Sequence, residues 1–267
     1  MNSKVVTDQM GQKIEVPATP KRIISLMPSQ TELLFDLGLD DRIAGLTRFC
    51  IHPAEKVALK EKIGGTKNFN IEKIKSLNPD LIIGNKEENY EEGVNELRKH
   101  FPVWMSDIVT INEAYDMIKA IGMLTNKEVN ADDLLNEIRD GFTQLKNNAQ
   151  SHRELSAAYF IWRKPYMIAA SGTFIHNMME ALGVRNVFEN MSRYPEMSTE
   201  QIAAARPDLI FLSTEPYAFS EMHFGEFQEM CPTAKVMMVD GELFSWYGSR
   251  MRLAIRYFEK VKEEILI

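Results

Sequence analysis

The sequence is poor in cysteine and histidine. Its 267 residues include two cysteines and five histidines. Cys50 and Cys231 lie far apart and have no CxxC motif around them, which indicates neither a zinc site nor a disulfide framework. We expect both to be buried, unreactive thiols. His176 has an acid at helical spacing, Glu180, and a surface pair explains that spacing better than a metal site does.

The sequence also lacks an excess of positive charge and long apolar runs. Lys+Arg total 31 against 38 Asp+Glu, a net charge of −7, so no basic surface is expected for nucleic acid. No apolar run approaches the ~20 residues that a membrane span needs. Residues 1–8 lack the pattern of a secretory signal. Two locations therefore stay open, the cytoplasm or the outside of the membrane after loss of a leader.

Catalytic motifs are absent as well. The chain has no GxSxG, GxGxxG, Walker A or HExxH motif. A content of 45% hydrophobic and 26% charged residues is nevertheless typical of a folded protein. The sequence thus favours a binding protein over an enzyme.

Short apolar strands alternate with helices along the chain. The first pair is a strand over 22–26 and a helix over 31–37 that ends at Gly38. This alternation predicts an α/β fold whose parallel sheets are covered on both faces. Further strands are predicted over 43–46, 80–84, 102–105, 157–162, 208–212 and 235–239, and further helices over 70–78, 90–99, 173–182, 198–205 and 249–265.

One long helix is predicted in the middle of the chain. Apolar residues recur every three or four positions from Ala131 to Leu145, which gives one apolar face over about five turns. A helix of this length could join two lobes as a rigid strut. We therefore predict an N-terminal α/β lobe over 1–125, a linking helix over 126–153 and a C-terminal α/β lobe over 154–267.

The two halves contain a repeated motif. Glu72 and Pro79 recur as Glu200 and Pro207 at the same offset of 128 residues, and Asp-Leu-Ile follows both prolines. One explanation is two lobes of like topology; the other is that Pro-Asp-Leu-Ile suits any helix-to-strand turn, and we favour the first. Each glutamate follows an N-cap residue type, Asn or Ser, by two positions and so falls in the first helical turn, where an acid complements the helix dipole even without a partner.

Aromatic and basic residues are concentrated in loops that follow predicted strands. Ligands of α/β folds bind at such loops, although any one of these side chains could equally cap the core or be solvated. Four clusters in corresponding loops predict a cleft with flat walls and several cations. The residues are Arg48, Phe49, Trp162, Arg163, Tyr166, Arg193, Tyr194, Trp246, Tyr247 and Arg250.

Several segments resemble the substrate-binding proteins of ABC importers for cobalamin, iron–siderophore and haem. They are residues 7–17 and 21–32, then 70–74 with 78–82, and 198–202 with 207–210. The resemblance runs from about residue 7 to the C-terminus. It implies two Rossmann-like lobes with central, mostly parallel sheets, joined by a long backbone helix, with the ligand held between them. It also implies a monomer without catalytic activity, outside the cytoplasmic membrane, with an ABC permease dimer as its partner.

The resemblance assigns roles to particular residues. An acid on each lobe docks onto arginines of the permease, and by motif these acids are Glu72 and Glu200. No cofactor is expected, because the metal enters only as part of the ligand. Cations at Arg48, Lys67, Arg163, Arg193 and Arg250 suit an anionic iron chelate, while cobalamin and haem stay open. The alternative is an intracellular enzyme that handles metal chelates, or a ligand sensor, on the same fold.

Overall fold

The computed structural model describes residues 3–147 and 155–265, and packing divides it into two compact units. The first comprises Met1–Ile108, Asn112–Glu137 and Tyr247–Arg250, and the second comprises Val109–Ile111, Ile138–Trp246 and Met251–Ile267. The boundaries predicted from the sequence follow chain order, whereas packing assigns Tyr247–Arg250 to the first unit. Part of the predicted linking helix, residues 148–153, lies outside the described residues.

The first unit contains a four-stranded parallel sheet in the order β4-β3-β5-β6 and a separate antiparallel pair, β1-β2. The parallel strands are short apolar runs, buried along almost their whole length, as strands covered on both faces should be. Ile24, Ile82 and Val103 pack together in the core of this unit. Its strands are β1 (Ser3–Thr7), β2 (Lys13–Pro17), β3 (Ile23–Ser25), β4 (Ile43–Leu46), β5 (Leu81–Asn85) and β6 (Val103–Ser106).

Local signals set the ends of the helices in the first unit. Asn70 caps α3 by accepting a hydrogen bond from the Lys73 amide, and Asn78, in the left-handed conformation, ends it one residue before Pro79. The predicted bounds of the helices that begin at Pro28, Ile71 and Glu91 agree with the observed ones to within a few residues, whereas Ala54–Val57 and Ile111–Thr125 are helices that the sequence patterns did not predict. The helices are α1 (Pro28–Asp36), α2 (Ala54–Val57), α3 (Ile71–Leu77), α4 (Glu91–Arg98) and α5 (Ile111–Thr125), with a 3₁₀ turn at Asp40–Arg42.

The predicted long helix is present as α6 (Glu128–Asn147). Ala131, Leu135, Ile138 and Leu145 on its apolar face are buried, as the periodicity predicts. The division between the two units falls within this helix, between Glu137 and Ile138.

The second unit is built on a mixed sheet in the order β10-β8-β7-β11-β12, with β9 also paired to β7. Strand β11 is parallel to β7 and β12, whereas β8 is antiparallel to β7 and β10. Phe160, Ile210 and Phe227 lie in its core. Its strands are β7 (Leu155–Trp162), β8 (Tyr166–Ile168), β9 (Val184–Asn186), β10 (Glu196–Met197), β11 (Leu209–Ser213) and β12 (Lys235–Val239).

Caps again define the helices of the second unit. Ser198 and Gln201 form a reciprocal capping box at the start of α8. The helices are α7 (Phe174–Leu182), α8 (Thr199–Ala205), α9 (Phe224–Met230), α10 (Gly241–Ser245) and α11 (Met251–Ile265), with a 3₁₀ turn at Glu221–His223. None of the described helices is both long and apolar enough to cross a membrane. The predicted α/β class with mostly parallel central sheets is confirmed.

Candidate functional site

Small polar side chains end the parallel strands of the first unit. Ser25, Asn85 and Ser106 are the last residues of β3, β5 and β6, and Thr47 directly follows β4. All four are buried. The carboxyl ends of parallel strands form the edge at which α/β folds bind ligands, so this edge is polar beside an apolar sheet. These residues were not among the predicted site residues, although each directly follows a short apolar run.

Asn89 connects this polar edge to the loop that carries Lys67. Its side-chain oxygen accepts a hydrogen bond from the Asn85 amide at 2.9 Å. Its side-chain nitrogen donates to the carbonyl oxygens of Leu26 and Thr66, both at 3.1 Å. A single buried amide therefore fixes the backbone next to one of the predicted ligand-binding cations.

Arg48 and Phe49 form an exposed pair in the loop after β4. The guanidinium carbon lies 5.0 Å from the centre of the Phe49 ring, and Phe49 is 49% exposed. A Cβ atom on Gly65 would lie 3.2 Å from that ring and 2.3 Å from Asn68 Oδ1, so a larger residue there would displace these two side chains. Within the described chain, no carboxylate pairs with Arg48.

Lys67 lies on the neighbouring loop and is exposed. Its ammonium group donates to the carbonyl oxygen of Glu87. Burial raises the pKa of the adjacent Glu88 carboxyl, and the charge of Lys67 partly opposes that shift. Lys67 is therefore exposed to solvent and also favours the charged form of Glu88.

Tyr247 and Arg250, both predicted to contact ligand, lie buried in the first unit. The Tyr247 hydroxyl donates to Met27 Sδ at 2.7 Å, and burial raises its pKa. Arg250 binds Glu32 through two contacts, Nε to Oε2 at 2.7 Å and Nη2 to Oε1 at 2.9 Å. Only 5% of Tyr247 and 8% of Arg250 is exposed. Both side chains have internal partners, and ligand contact by them stays a prediction.

Arg163 and Tyr166, in the second unit, converge on Glu226. The Arg163 nitrogens Nε and Nη2 lie 2.8 and 2.7 Å from Glu226 Oε2, and the Tyr166 hydroxyl donates to Oε1. The hydrogen bond from Arg163 lowers the pKa of Glu226, whereas burial and this carboxylate raise the pKa of Tyr166 to about 12. A ligand anion would compete with Glu226 for Arg163. Glu226 was not among the predicted site residues, because it follows Arg163 by 63 residues and no local motif marks it.

Trp162 is the exposed aromatic residue next to this cluster. It is 39% exposed, and its ring meets Tyr217 edge to face at 5.6 Å between centroids. Tyr217 in turn packs against Phe219 at 4.7 Å. Tyr217, which was not among the predicted site residues, packs against Trp162 from the loop after β11.

Arg193 and Tyr194 lie together before β10. The Arg193 guanidinium is 5.5 Å from the centre of the Tyr194 ring, and its Nη1 donates to the Gly172 carbonyl oxygen at 2.8 Å. Arg193 has a left-handed backbone with a φ of 63°, and its amide donates to the Ser171 carbonyl at 2.8 Å. Backbone contacts therefore hold this cation beside an aromatic ring.

Trp246 is almost buried, at 9% exposure, and is held by Glu215. The Oε1 atom of Glu215 accepts hydrogen bonds from Trp246 Nε1 and Ser245 Oγ, both at 2.9 Å. Burial and the nearby Glu242 carboxylate raise the pKa of Glu215, which these hydrogen bonds oppose. A side chain at Gly241 would collide with Glu215, since its Cβ would lie 2.4 Å from Cγ. The sequence analysis did not identify Glu215 either.

Glu72 and Glu200 lie in the first turns of α3 and α8, and both are exposed. The Glu72 side chain is 83% exposed and its Oε1 lies 3.2 Å from Lys75 Nζ. Glu200 accepts a hydrogen bond from Thr199 Oγ1 at 3.0 Å, and hydroxyl donors from Ser198 and Thr199 lower its pKa. The N-cap roles predicted for Asn and Ser two residues earlier are confirmed.

Metal-binding side chains do not gather in the part of the chain that the structure describes. No three histidine, cysteine, aspartate or glutamate side chains there converge as a metal site requires. Both cysteines are buried, as predicted, and burial raises the pKa of each thiol. His176 Nε2 lies 3.7 Å from Glu180 Oε1, the pair that the sequence spacing suggested.

Residues 23–230, more than half of the chain, match the family of periplasmic binding proteins. The chain belongs to this family. This binding protein is 27% identical over 213 residues to an uncharacterised ABC transporter substrate-binding lipoprotein of Bacillus subtilis, YvrC. That alignment covers 77% of this chain and 67% of YvrC.

Solved structures agree with this assignment. The periplasmic vitamin B12 binding protein BtuF of Vibrio cholerae is 25% identical with a TM-score of 0.80, over 94% of this chain and 99% of that one. A possible iron-binding, periplasmic solute-binding protein of Staphylococcus epidermidis is 25% identical with a TM-score of 0.79, over 91% and 98%. The predicted family and its substrate-binding, non-enzymatic function are confirmed, and the alternative of an enzyme is not favoured.

Proposed function

We propose that this binding protein captures a metal chelate outside the cytoplasmic membrane and delivers it to an ABC permease. The observation that carries the proposal is the matched placement of two exposed acids, Glu72 and Glu200, in the first turns of equivalent helices. Relatives named for vitamin B12, iron and ABC transport support the ligand class and the partner. The metal enters with the ligand, so the protein needs no resident cofactor. We expect a monomer, which light scattering of the purified protein would test.

We assign ligand contact first to the side chains that combine exposure with an aromatic or cationic group. In the first unit these are Arg48, Phe49 and Lys67. In the second unit Trp162 and the Arg193–Tyr194 pair have the same character. Aromatic rings offer flat apolar surface, and guanidinium groups bind carboxylates or catecholates in a bidentate manner. This combination favours an anionic chelate.

Absorbance titration identifies the ligand. The purified protein is titrated with aquocobalamin, haemin, and the ferric complexes of a catecholate and a hydroxamate siderophore. We expect one of these to saturate at one per chain with a dissociation constant of about 1 μM, roughly −8 kcal/mol. Arg48→Gln should weaken binding about tenfold, whereas Arg185→Gln, which removes an exposed arginine paired with Glu189, should not. Failure of all four probes to bind would refute the proposed ligand class.

A double substitution tests delivery. A two-fold permease presents the same basic site twice, and charge pairs across an interface fix its specificity and orientation. Glu72→Gln with Glu200→Gln should therefore abolish docking and uptake while ligand affinity stays at the wild-type value. If ligand affinity collapsed as well, the docking role of the two acids would be wrong.

A further inference from the structure

The two helices that carry Glu72 and Glu200 occupy matching places in the sequence repeat but differ in charge. At the shared offset of 128 residues, Lys73 of α3 corresponds to Gln201 of α8, and Lys75 corresponds to Ala203. Helix α3 (Ile71–Leu77) therefore carries one acid and two lysines, whereas the acid of α8 (Thr199–Ala205) is its sole charged residue. The repeat preserves the glutamate and its cap but not the cations around it.

Both lysines of α3 form ion pairs with nearby glutamates. Lys75 Nζ lies 3.2 Å from Glu72 Oε1 and 3.7 Å from Glu96 Oε1. Lys73 Nζ lies 2.7 Å from Glu61 Oε2. A cation that approaches Glu72 from solvent therefore meets a positive charge that is already in place.

Glu200 has different surroundings. Its carboxylate accepts a hydrogen bond from the Thr199 hydroxyl, a neutral donor. The next basic residue along the chain, Arg206, follows the last residue of the helix, about 9 Å away at 1.5 Å per residue. In the described part of the chain Glu200 forms no ion pair. Hydroxyl donors from Ser198 and Thr199 lower its pKa.

We propose that the two docking contacts are electrostatically unequal, with Glu200 as the stronger contact and Lys75 weakening the contact of Glu72. This inference rests on the docking role proposed above. A permease arginine at Glu72 must displace Lys75 and is repelled by it at short range. An arginine that binds Glu200 has no lysine of α8 to displace. The protein would then meet a symmetric permease with one strong and one weak contact.

Reciprocal substitutions at matched positions test the proposal. The partner is its ABC permease in lipid nanodiscs, and docking is measured without ligand at low salt, where exposed charges are least screened. Lys75→Ala should tighten docking about threefold, and Ala203→Lys, which places a lysine at the same spacing from Glu200, should weaken it about threefold. Glu200→Gln should weaken docking more than Glu72→Gln does. Lys99→Ala is the control, because Lys99 pairs with Glu96 and not with Glu72.

The outcomes separate this inference from the proposed function. Wild-type docking by the variant that combines Glu72→Gln with Glu200→Gln would refute the docking role itself. Loss of docking in that variant, with equal effects of the two single substitutions and no gain from Lys75→Ala, would refute only the inequality. Circular dichroism of each variant checks folding. All of the substituted positions are at least partly exposed, and in Lys75→Ala the Glu96 carboxylate keeps its contacts with Lys99 and His100.

Discussion

Arginine side chains in this protein differ in what they can offer to a ligand. Arg48 lies over an exposed phenylalanine without a carboxylate partner in the described chain, whereas Arg163 and Arg250 are bound by Glu226 and Glu32. Bidentate carboxylates leave a guanidinium charged but occupied. Loop position and residue type predicted where these arginines occur. The same signals could not predict that Arg163 and Arg250 are bound by carboxylates, because their partners lie 63 and 218 residues away in the chain.

The buried pair of Arg250 and Glu32 should matter for stability. Glu32→Gln removes the carboxylate that binds a guanidinium of 8% exposure, and removing one partner of a buried pair costs about 3 kcal/mol. We expect chemical denaturation followed by circular dichroism to show this loss. Lys99→Met, which breaks an exposed pair with Glu96, should cost less than about 0.5 kcal/mol. Equal effects of the two substitutions would contradict the buried role of Arg250.

Helices and strands were predictable where their signals are local. The caps at Asn70 and Ser198 and the proline after each helix fixed α3 and α8 to within about one residue. Strands β8 and β10 have three and two residues, and their pairing depends on distant segments, so no periodicity could reveal them. Helix α5 went unpredicted even though its apolar residues at 114, 117, 118 and 121 have helical spacing.

The cap of α8 should contribute measurably to the stability of the second unit. Ser198→Ala removes the acceptor for the Gln201 amide and one half of the capping box. Loss of such a cap costs about 1 kcal/mol. Denaturant titration of the intact protein should show this decrease, while Thr199→Ala, whose hydroxyl bonds Glu200 rather than a helix amide, serves as the control. A loss no larger than that of the control would count against the capping interaction.

Acidic groups with lowered pKa values are spread over the whole molecule. Hydrogen bonds from Lys99 and His100 lower the pKa of Glu96 to about 2, and ion pairs lower those of Asp40 and Glu226. The same groups titrate near 4 in an unfolded chain. A lowered pKa in the folded state stabilises the fold at pH values above the unfolded pKa, and this stabilisation is lost as the pH falls through the folded pKa.

The urea concentration at the unfolding midpoint should therefore fall as the pH is lowered from about 5 to about 2. Glu88 and Glu215 act in the opposite direction, because burial raises their pKa values and their ionised forms destabilise the fold at higher pH. Glu96→Gln should make the decrease at low pH shallower. A midpoint that stays constant over this range would show that these carboxylates are not stabilised in the folded protein.

Because Tyr247–Arg250 belong to the first unit, they affect how that unit folds during synthesis. Gly248 has a left-handed backbone, and a Cβ atom there would lie 3.6 Å from Leu33 Cβ and 3.7 Å from Met117 Cε. Arg250 forms an ion pair with Glu32 of the same unit. Domains usually fold in order during synthesis, N-terminal first. Here the first unit is complete only once residues 247–250, which follow the described strands of the second unit, have been synthesised. A protease added during translation should therefore cut the first unit readily until residue 250 has left the exit tunnel.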